Sequence, residues 1–234
     1  MFYILIAIQL VIYFIGFTIN TSDPAGSLPV PVKVILSLSF VLAALLIRYF
    51  NRTKVYTKYV AIGMSLCFIG DLINSNVIPG VGIIGSIVFF ALAHVCFILA
   101  YTKTVKNYNL TIFCKYFYIF MVLYWAITIL LWALLIFPRD KSFMSYGVLA
   151  YGLWVSTMAA FSWSLVRIHK KYLLVAAGAL MFVVSDLFLA VTGIGGITVH
   201  FRDAVIWATY ILGLMGIIYA GHFIADSNQD KSIY

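Results

Sequence analysis

The sequence predicts an all-α membrane protein that crosses the bilayer eight times. Of its 234 residues, 65% are hydrophobic and only 9% are charged, and the mean hydropathy is +1.09. A soluble core of this length could not bury so much apolar side chain. Inside a bilayer the backbone must pair internally, and apolar runs of roughly 17–25 residues suit spanning helices rather than the shorter strands of a barrel.

Eight such runs follow one another along the chain. They cover 3–19, 30–47, 58–76, 81–101, 112–136, 143–165, 172–192 and 204–224. The fifth run suits one tilted span or a kinked one. The first has no basic leader and no small-residue cleavage site, which predicts a retained helix rather than a signal peptide. The chain is therefore expected to form a single integral membrane domain over 1–234.

The net charge of +8 is distributed unevenly between the predicted loops. One side holds Arg48, Arg52, Lys54, Lys58, Lys103, Lys106, Lys115, Arg167, Lys170, Lys171 and Lys231, and the other holds Lys33, Arg139, Lys141 and Arg202. The positive-inside rule then places both termini in the cytoplasm. We expect membrane lipids rather than nucleic acid as partners, and a bacterial inner membrane as the location; an endoplasmic-reticulum protein would have a similar sequence.

Two aspartates lie inside these apolar runs, at matching places in the two halves of the chain. A shift of 115 residues lays Asp71 on Asp186 and Gly63 on Gly178. The match predicts two four-helix repeats, about 1–108 and 109–234, in parallel orientation because four crossings return the chain to its starting side. Both aspartates are expected at one depth, in the outer half of the bilayer. Each glycine lies about two turns from its aspartate and would let a neighbouring helix approach closely.

A carboxylate at membrane depth costs several kcal/mol (roughly 2.5–3.5 on insertion scales) and usually faces a protein-lined cavity. Two such groups across a repeat axis would not both ionise readily, which leaves an acid and a base at neutral pH. The structural alternative is that each aspartate only bonds a neighbouring helix. Asn74, about one turn beyond Asp71, favours the ionised form of Asp71 and hence Asp71 as the base, although the division of roles stays open.

Other polar residues near these positions are candidates for substrate binding. They are Lys33, Asn74, His94, Ser185 and Tyr210. Lys33 would meet a phosphate or a carboxylate, or would only reach toward the headgroups. Tyr210 would serve the site or anchor the interface. His94 is placed nearer the inner half, where a structural hydrogen bond is an equal alternative. No HExxH pair or CxxC spacing occurs, so we expect neither a metal site nor an organic cofactor.

Four ordered elements resemble the lysoplasmalogenase (YhhN-like) family. They are Gly-Asp-Leu at 70–72, Phe-x-x-Ala-His ending at His94, Gly-Ala-x-x-Phe-x-x-Ser-Asp at 178–186, and Thr-Tyr at 209–210. The resemblance covers nearly the whole chain. It implies hydrolysis of the vinyl ether bond of a lysophospholipid substrate, a lysoplasmalogen, to a fatty aldehyde and glycerophosphoethanolamine or glycerophosphocholine. Asp71 and Asp186 would be the catalytic acid–base pair, with no cofactor.

Three other functions fit parts of the same pattern. Repeats with buried carboxylates also describe a proton-coupled transporter. However, the glycine and proline breaks lie near span ends, so no discontinuous helix is indicated. A hydrolase of another ether or ester lipid shares every residue argument. A structural membrane protein with packing aspartates is the third.

Overall fold

Eight long helices form the protein in the computed structural model, which describes residues 2–20 and 23–229, with side chains as far as His222. The helices are α1 (Phe2–Ile19), α2 (Val30–Phe50), α3 (Val55–Asn74), α4 (Gly82–Asn107), α5 (Lys115–Leu131), α6 (Phe143–Ser162), α7 (Leu173–Gly193) and α8 (Arg202–Gln229). The described residues include no β-strand. Each helical region is long and apolar enough to cross a membrane. The predicted all-α, eight-span fold is therefore confirmed.

The helices extend beyond several of the predicted runs. The second run was expected to end at residue 47 and the fourth at 101, whereas α2 continues to Phe50 and α4 to Asn107. Apolar composition marks only the part of a helix inside lipid. The backbone hydrogen bonds continue through the polar turns beyond it, so the helix is longer than its apolar run.

The long fifth run is one continuous span. Its final turn, Trp132–Ile136, is a π-helix, in which the Phe137 amide donates to the Trp132 carbonyl over 2.9 Å. Single π-turns of this kind insert one extra residue and often occur beside functional sites. Two short 3₁₀ turns, Leu165–Arg167 and Lys170–Tyr172, join α6 to α7.

Both aspartates lie nearer to one end of the bundle, which we call the aspartate end. Here α1, α3, α5 and α7 finish and α2, α4, α6 and α8 begin. Asp71 lies one turn before the end of α3, and Asp186 lies two turns before the end of α7.

The described basic residues separate between the two ends as the sequence predicted. Lys33, Arg139, Lys141 and Arg202 lie at the aspartate end, and the ten residues Arg48, Arg52, Lys54, Lys58, Lys103, Lys106, Lys115, Arg167, Lys170 and Lys171 lie at the opposite end. Lys231 falls outside the described residues. Which end faces the cytoplasm stays a prediction from the positive-inside rule.

The two halves of the chain pack their helices in the same pairs. Helix α3 packs on α4 as α7 packs on α8, and α2 on α3 as α6 on α7. Helix α1 packs on α2 as α5 packs on α6, and the halves meet through α2 with α8 and α4 with α6. This arrangement agrees with the predicted four-plus-four repeat, which stays a prediction.

The two matched glycines lie at close helix contacts. A Cβ at Gly63 would come within 2.6 Å of the Phe97 ring on α4. A Cβ at Gly178 would come within 2.7 Å of the Gly213 carbonyl oxygen and 2.9 Å of Gly216 Cα on α8. Small residues allow these backbones to approach, as expected for helix pairs in lipid. The expectation that both glycines serve close packing is confirmed.

Candidate active site

Asp71 is buried among three helices and accepts two hydrogen bonds at one oxygen. The Ser37 hydroxyl on α2 donates to Asp71 Oδ2 over 2.6 Å, and the Tyr210 hydroxyl on α8 donates to the same oxygen over 2.9 Å. Only 5% of Asp71 is exposed. Hydrogen bonds to a carboxylate stabilise its ionised form. These hydrogen bonds favour the ionised form of Asp71, whereas its burial favours the protonated form.

Lys33 extends this cluster toward the aspartate end. Lys33 and Ser37 are four residues apart and so share one face of α2. The Lys33 ammonium lies 5.9 Å from the centre of the Trp207 ring, which in turn lies 5.6 Å from the Tyr210 ring. Lys33 is also within electrostatic range of Asp71. It is half-buried and makes no salt bridge among the described residues.

Asp186 has a different environment from Asp71. It accepts one hydrogen bond, from the Tyr151 hydroxyl on α6 to Oδ2 over 2.9 Å. It is partly accessible rather than buried. Asp71 and Asp186 lie within electrostatic range of each other. The two aspartates thus occupy one region of the bundle, but they differ in the number of hydrogen bonds that they accept and in the exposure of their side chains.

An apolar cavity of about 100 Å³ lies between α4, α5, α6 and α7. Among the described residues, Asp186 lines it and Asp71 does not. Its other polar lining residues are Asn74, Ser86, Thr128, Trp132 and Tyr151. Asn74 and Ile83, at the aspartate end, are exposed and mark the mouth, and Val155 and Val183 lie deepest along their helices. An apolar cavity with a few convergent polar groups is the arrangement expected of a ligand-binding or active site.

Two residues that line the cavity are smaller than the residues at the matching positions of the first half. Under the predicted shift of 115 residues, Thr128 corresponds to Tyr13 and Val155 to Phe40. Phe40 is fully buried, and the Tyr13 hydroxyl donates to the Ala204 carbonyl over 2.9 Å.

His94 lies beside Phe182 and Tyr151, the second of which donates to Asp186. Its ring centre is 4.9 Å from that of Phe182, one turn before Asp186 on α7, and 5.9 Å from that of Tyr151. His94 is fully buried, and neither ring nitrogen has a hydrogen-bond partner among the described residues. A buried imidazole normally satisfies both nitrogens. Both ring nitrogens of His94 can therefore bind a further group, next to Tyr151, the residue whose hydroxyl donates to Asp186.

Ser185 makes a helix contact. It is buried, and its hydroxyl donates to the Ile206 carbonyl on α8 over 3.0 Å. Asn74, in contrast, lines the cavity near its mouth. Of the residues selected from the sequence, the structure places Lys33, Asp71 and Tyr210 in one cluster and Asn74 and Asp186 on the cavity.

Sequence reasoning missed two partners of the aspartates, Ser37 and Tyr151. Under the shift of 115 residues Ser37 corresponds to Gly152, the neighbour of Tyr151. Polar residues at nearly matched places, each on the helix before an aspartate helix, were the signal that could have identified them. Among the described residues, no group of three His, Cys, Asp or Glu side chains is placed to hold a metal ion.

The fold and the site define an integral membrane protein with two intramembrane aspartates, one of which lines an apolar cavity. A sequence model of the YhhN family matches residues 28–221. The chain belongs to this family, the family of lysoplasmalogenases, as the sequence motifs predicted. Comparison with curated proteins and with solved structures gave no significant match.

Proposed function

We propose that this protein hydrolyses the vinyl ether bond of lysoplasmalogens, releasing a fatty aldehyde and glycerophosphoethanolamine or glycerophosphocholine. The observation that carries the proposal is the placement of Asp186 on an apolar cavity whose mouth lies at a membrane-surface end of the bundle. Family membership supports the same activity. A lipid whose reactive bond lies just below its headgroup fits a carboxyl group two turns below the surface.

Asp186 is the proposed general acid. A carboxyl group in an apolar cavity, with one donor, retains its proton more readily than one with two donors. Protonated Asp186 delivers its proton to the β-carbon of the vinyl ether, and the π electrons form the new C–H bond. The adjacent carbon and the ether oxygen then share the positive charge of an oxocarbenium ion.

The Asp186 carboxylate left by this step then acts as the base. It takes a proton from water while the water oxygen bonds to the oxocarbenium carbon, giving a hemiacetal and restoring the acid. In the collapse of the hemiacetal, the carbon–oxygen bond to glycerol breaks as the glycerol oxygen takes the proton of Asp186. The hemiacetal hydroxyl returns its proton to the Asp186 carboxylate, which yields the aldehyde and restores the acid. Glycosidases use carboxylates around a similar cation. The overall reaction consumes one water and no cofactor.

Asp71 is the proposed ionised partner. It lies behind the cavity wall, held by Ser37 and Tyr210, and its negative charge favours the oxocarbenium ion within electrostatic range. The proposed ionised state of Asp71 is supported by the hydrogen bonds from Ser37 and Tyr210 rather than by Asn74, which lines the cavity instead. His94 does not line the cavity; its ring packs beside that of Tyr151, so His94 is the proposed support of the donor to Asp186.

The headgroup is proposed to lie at the aspartate end. Asn74 at the cavity mouth would contact the glycerol hydroxyl, and Lys33 at the same end would attract the phosphate. If this end is the outer one, as the basic residues predict, substrate is taken from the outer leaflet of the membrane. The bacterial inner membrane is the proposed location.

The test offers the purified protein in detergent a matched set of lysophosphatidylethanolamines. Their single chain is attached through a vinyl ether, an alkyl ether or an ester. We expect aldehyde only from the vinyl ether and no product from the alkyl ether. Cleavage of the ester at an equal or greater rate would instead favour a hydrolase of other lipids. Solute uptake by proteoliposomes without cleavage of any lipid would favour the transporter.

A further inference from the structure

We propose that a groove between α4 and α6 on the lipid-facing surface binds the alkyl chain of the substrate. This inference rests on the proposed hydrolysis and adds a binding site for the chain to it. The groove, here called the chain groove, is lined by Val88, Ala91, Leu92, Val95, Tyr151 and Trp154 and holds about 350 Å³.

The cavity beside Asp186 is too short for a lipid chain. Val183, among its deepest lining residues, lies three residues below Asp186 on α7, a rise of ~4.5 Å. A lipid chain spans half of the hydrocarbon core, ~15 Å. Near the deep end of the cavity the Thr128 and Ser156 hydroxyls are hydrogen-bonded over 2.8 Å, joining α5 to α6. A chain attached at the reacting bond must therefore leave the cavity sideways.

Tyr151 is the point at which the cavity and the chain groove meet. It lines both spaces, and its hydroxyl donates to Asp186. Its ring therefore forms the wall between the proposed acid and the lipid-facing surface. A chain that leaves the cavity beside this ring enters the chain groove directly.

The chain groove runs along the membrane normal, as a lipid chain does. Val88, Leu92 and Val95 are spaced by four and three residues, so they share one face of α4. They cover ~10 Å of helix, directed away from the aspartate end. Trp154 borders the groove on α6, and its indole N–H donates to the Ala91 carbonyl over 3.3 Å. This bond fixes α6 against α4 beside the groove.

The chemistry of the chain groove matches an alkyl chain. Its lining is apolar except for the Tyr151 hydroxyl and the Trp154 indole N–H, and both are already hydrogen-bonded. The α4 residues are 51%, 46% and 37% exposed at Val88, Leu92 and Val95, respectively. Lipid chains are as apolar as this surface, so the groove orients the chain by packing rather than attracting it from the bilayer.

The first experiment locates the chain without requiring turnover. The probe is an alkyl-ether lysophosphatidylethanolamine that carries a photoactivatable diazirine in mid-chain, with the purified protein in detergent. After irradiation, peptide mass spectrometry is expected to find label concentrated on Leu92, Val95 and Trp154, and reduced by excess lysoplasmenylethanolamine. Label spread evenly over lipid-facing residues of other helices, such as Val122 and Leu212, would overturn the proposal.

The second experiment fills the groove and measures chain-length dependence. Val95→Trp is expected to lower kcat/KM at least tenfold for a long-chain lysoplasmenylethanolamine and to leave a short-chain substrate within twofold. Val122→Trp, on an exposed face of α5, is the matched control and should leave both values unchanged. Equal loss for both chain lengths, or no loss for either, contradicts the proposal.

A second variant and the labelling pattern cover the cases in which Val95→Trp or the activity assay fails. If Val95→Trp does not fold, Leu92→Ala replaces it, and the expected result is weaker discrimination between chain lengths. If the wild-type protein hydrolyses no vinyl ether, the proposed function fails, whereas the labelling pattern still tests the groove. A protein partner bound over α4 and α6 would keep the groove residues unlabelled at every concentration of the lysophospholipid probe. That result would overturn the assignment of the groove to the alkyl chain.

Discussion

Replacing Tyr151 by phenylalanine removes the hydroxyl that donates to Asp186 and keeps the ring that separates the cavity from the chain groove. This bond stabilises Asp186 most when the residue has given up its proton. A hydrogen bond to a charged group is worth ~1.5–3 kcal/mol, against ~0.5–1.5 for a neutral pair. Without the hydroxyl, the activation free energy of the protonation step should rise by this difference, ~1–1.5 kcal/mol. That rise corresponds to about a tenfold lower kcat.

The assay is the initial rate of aldehyde release from saturating lysoplasmenylethanolamine. The matched control is Tyr146→Phe, on the same helix, because Tyr146 is exposed and does not line the cavity. We expect the control to keep the wild-type kcat and Tyr151→Phe to keep the wild-type KM within a few fold. A kcat for Tyr151→Phe within twofold of wild type would refute the assignment of Asp186 as an acid supported by Tyr151.

Three other predictions concern packing, a surface loop and metal independence. Gly178→Ala should lower the Tm measured in detergent, because the new Cβ meets the α8 backbone and overpacking costs ~1–3 kcal/mol of stability. Gly147→Ala is the control and should keep the wild-type Tm, because the space around Gly147 is open. Equal Tm values for the two variants would contradict the close contact at Gly178. Hydrogen bonds from Ser27 and the Ala25 amide hold the pKa of Asp23 below its ordinary value. The stability that these bonds add should therefore be fully present above pH ~3.9, the pKa of an unfolded aspartate, and be lost as the pH falls through the lower pKa of Asp23 in the folded protein. Amide hydrogen exchange at Ala25 and Ser27 between pH 6 and pH 1 measures this, and protection factors that stay unchanged over the whole range would contradict it. Dialysis against EDTA should leave aldehyde release unchanged; a loss restored by zinc would contradict the metal-free chemistry.

The number and kind of helices followed from the sequence because a bilayer leaves few alternatives. Long apolar runs must become helices when no water is present to pair with the backbone. The isolated charges of Asp71 and Asp186 stood out for the same reason. The boundaries were less predictable: residues 102–107 are polar enough to end an apolar run, yet they continue α4 to Asn107.

The partners of the aspartates were harder to predict. In a helix that is apolar on every side, a single serine or tyrosine does not reveal which face meets the protein. Ser37 and Tyr151 acquire their roles only when α2 and α6 are placed beside α3 and α7. The cavity likewise depends on how side-chain volumes combine across four helices.

The two aspartates also differ more than their matched positions suggested. The sequence gives each one an apolar helix and a glycine about two turns before it. The structure adds two donors and full burial to Asp71, and one donor and cavity access to Asp186. A repeat predicts that two residues correspond in position, whereas their chemistry depends on the neighbours that each half has acquired.

The central claim is that Asp186 transfers the proton and Asp71 acts through its charge. It is tested most directly by kcat for aldehyde release from lysoplasmenylethanolamine by Asp186→Asn, Asp71→Asn and the loop control Asp140→Asn. Loss of a general acid typically lowers a rate ~10²–10⁴-fold. We predict a loss of that size for Asp186→Asn, a smaller loss for Asp71→Asn and none for Asp140→Asn. Wild-type turnover by Asp186→Asn would contradict the account.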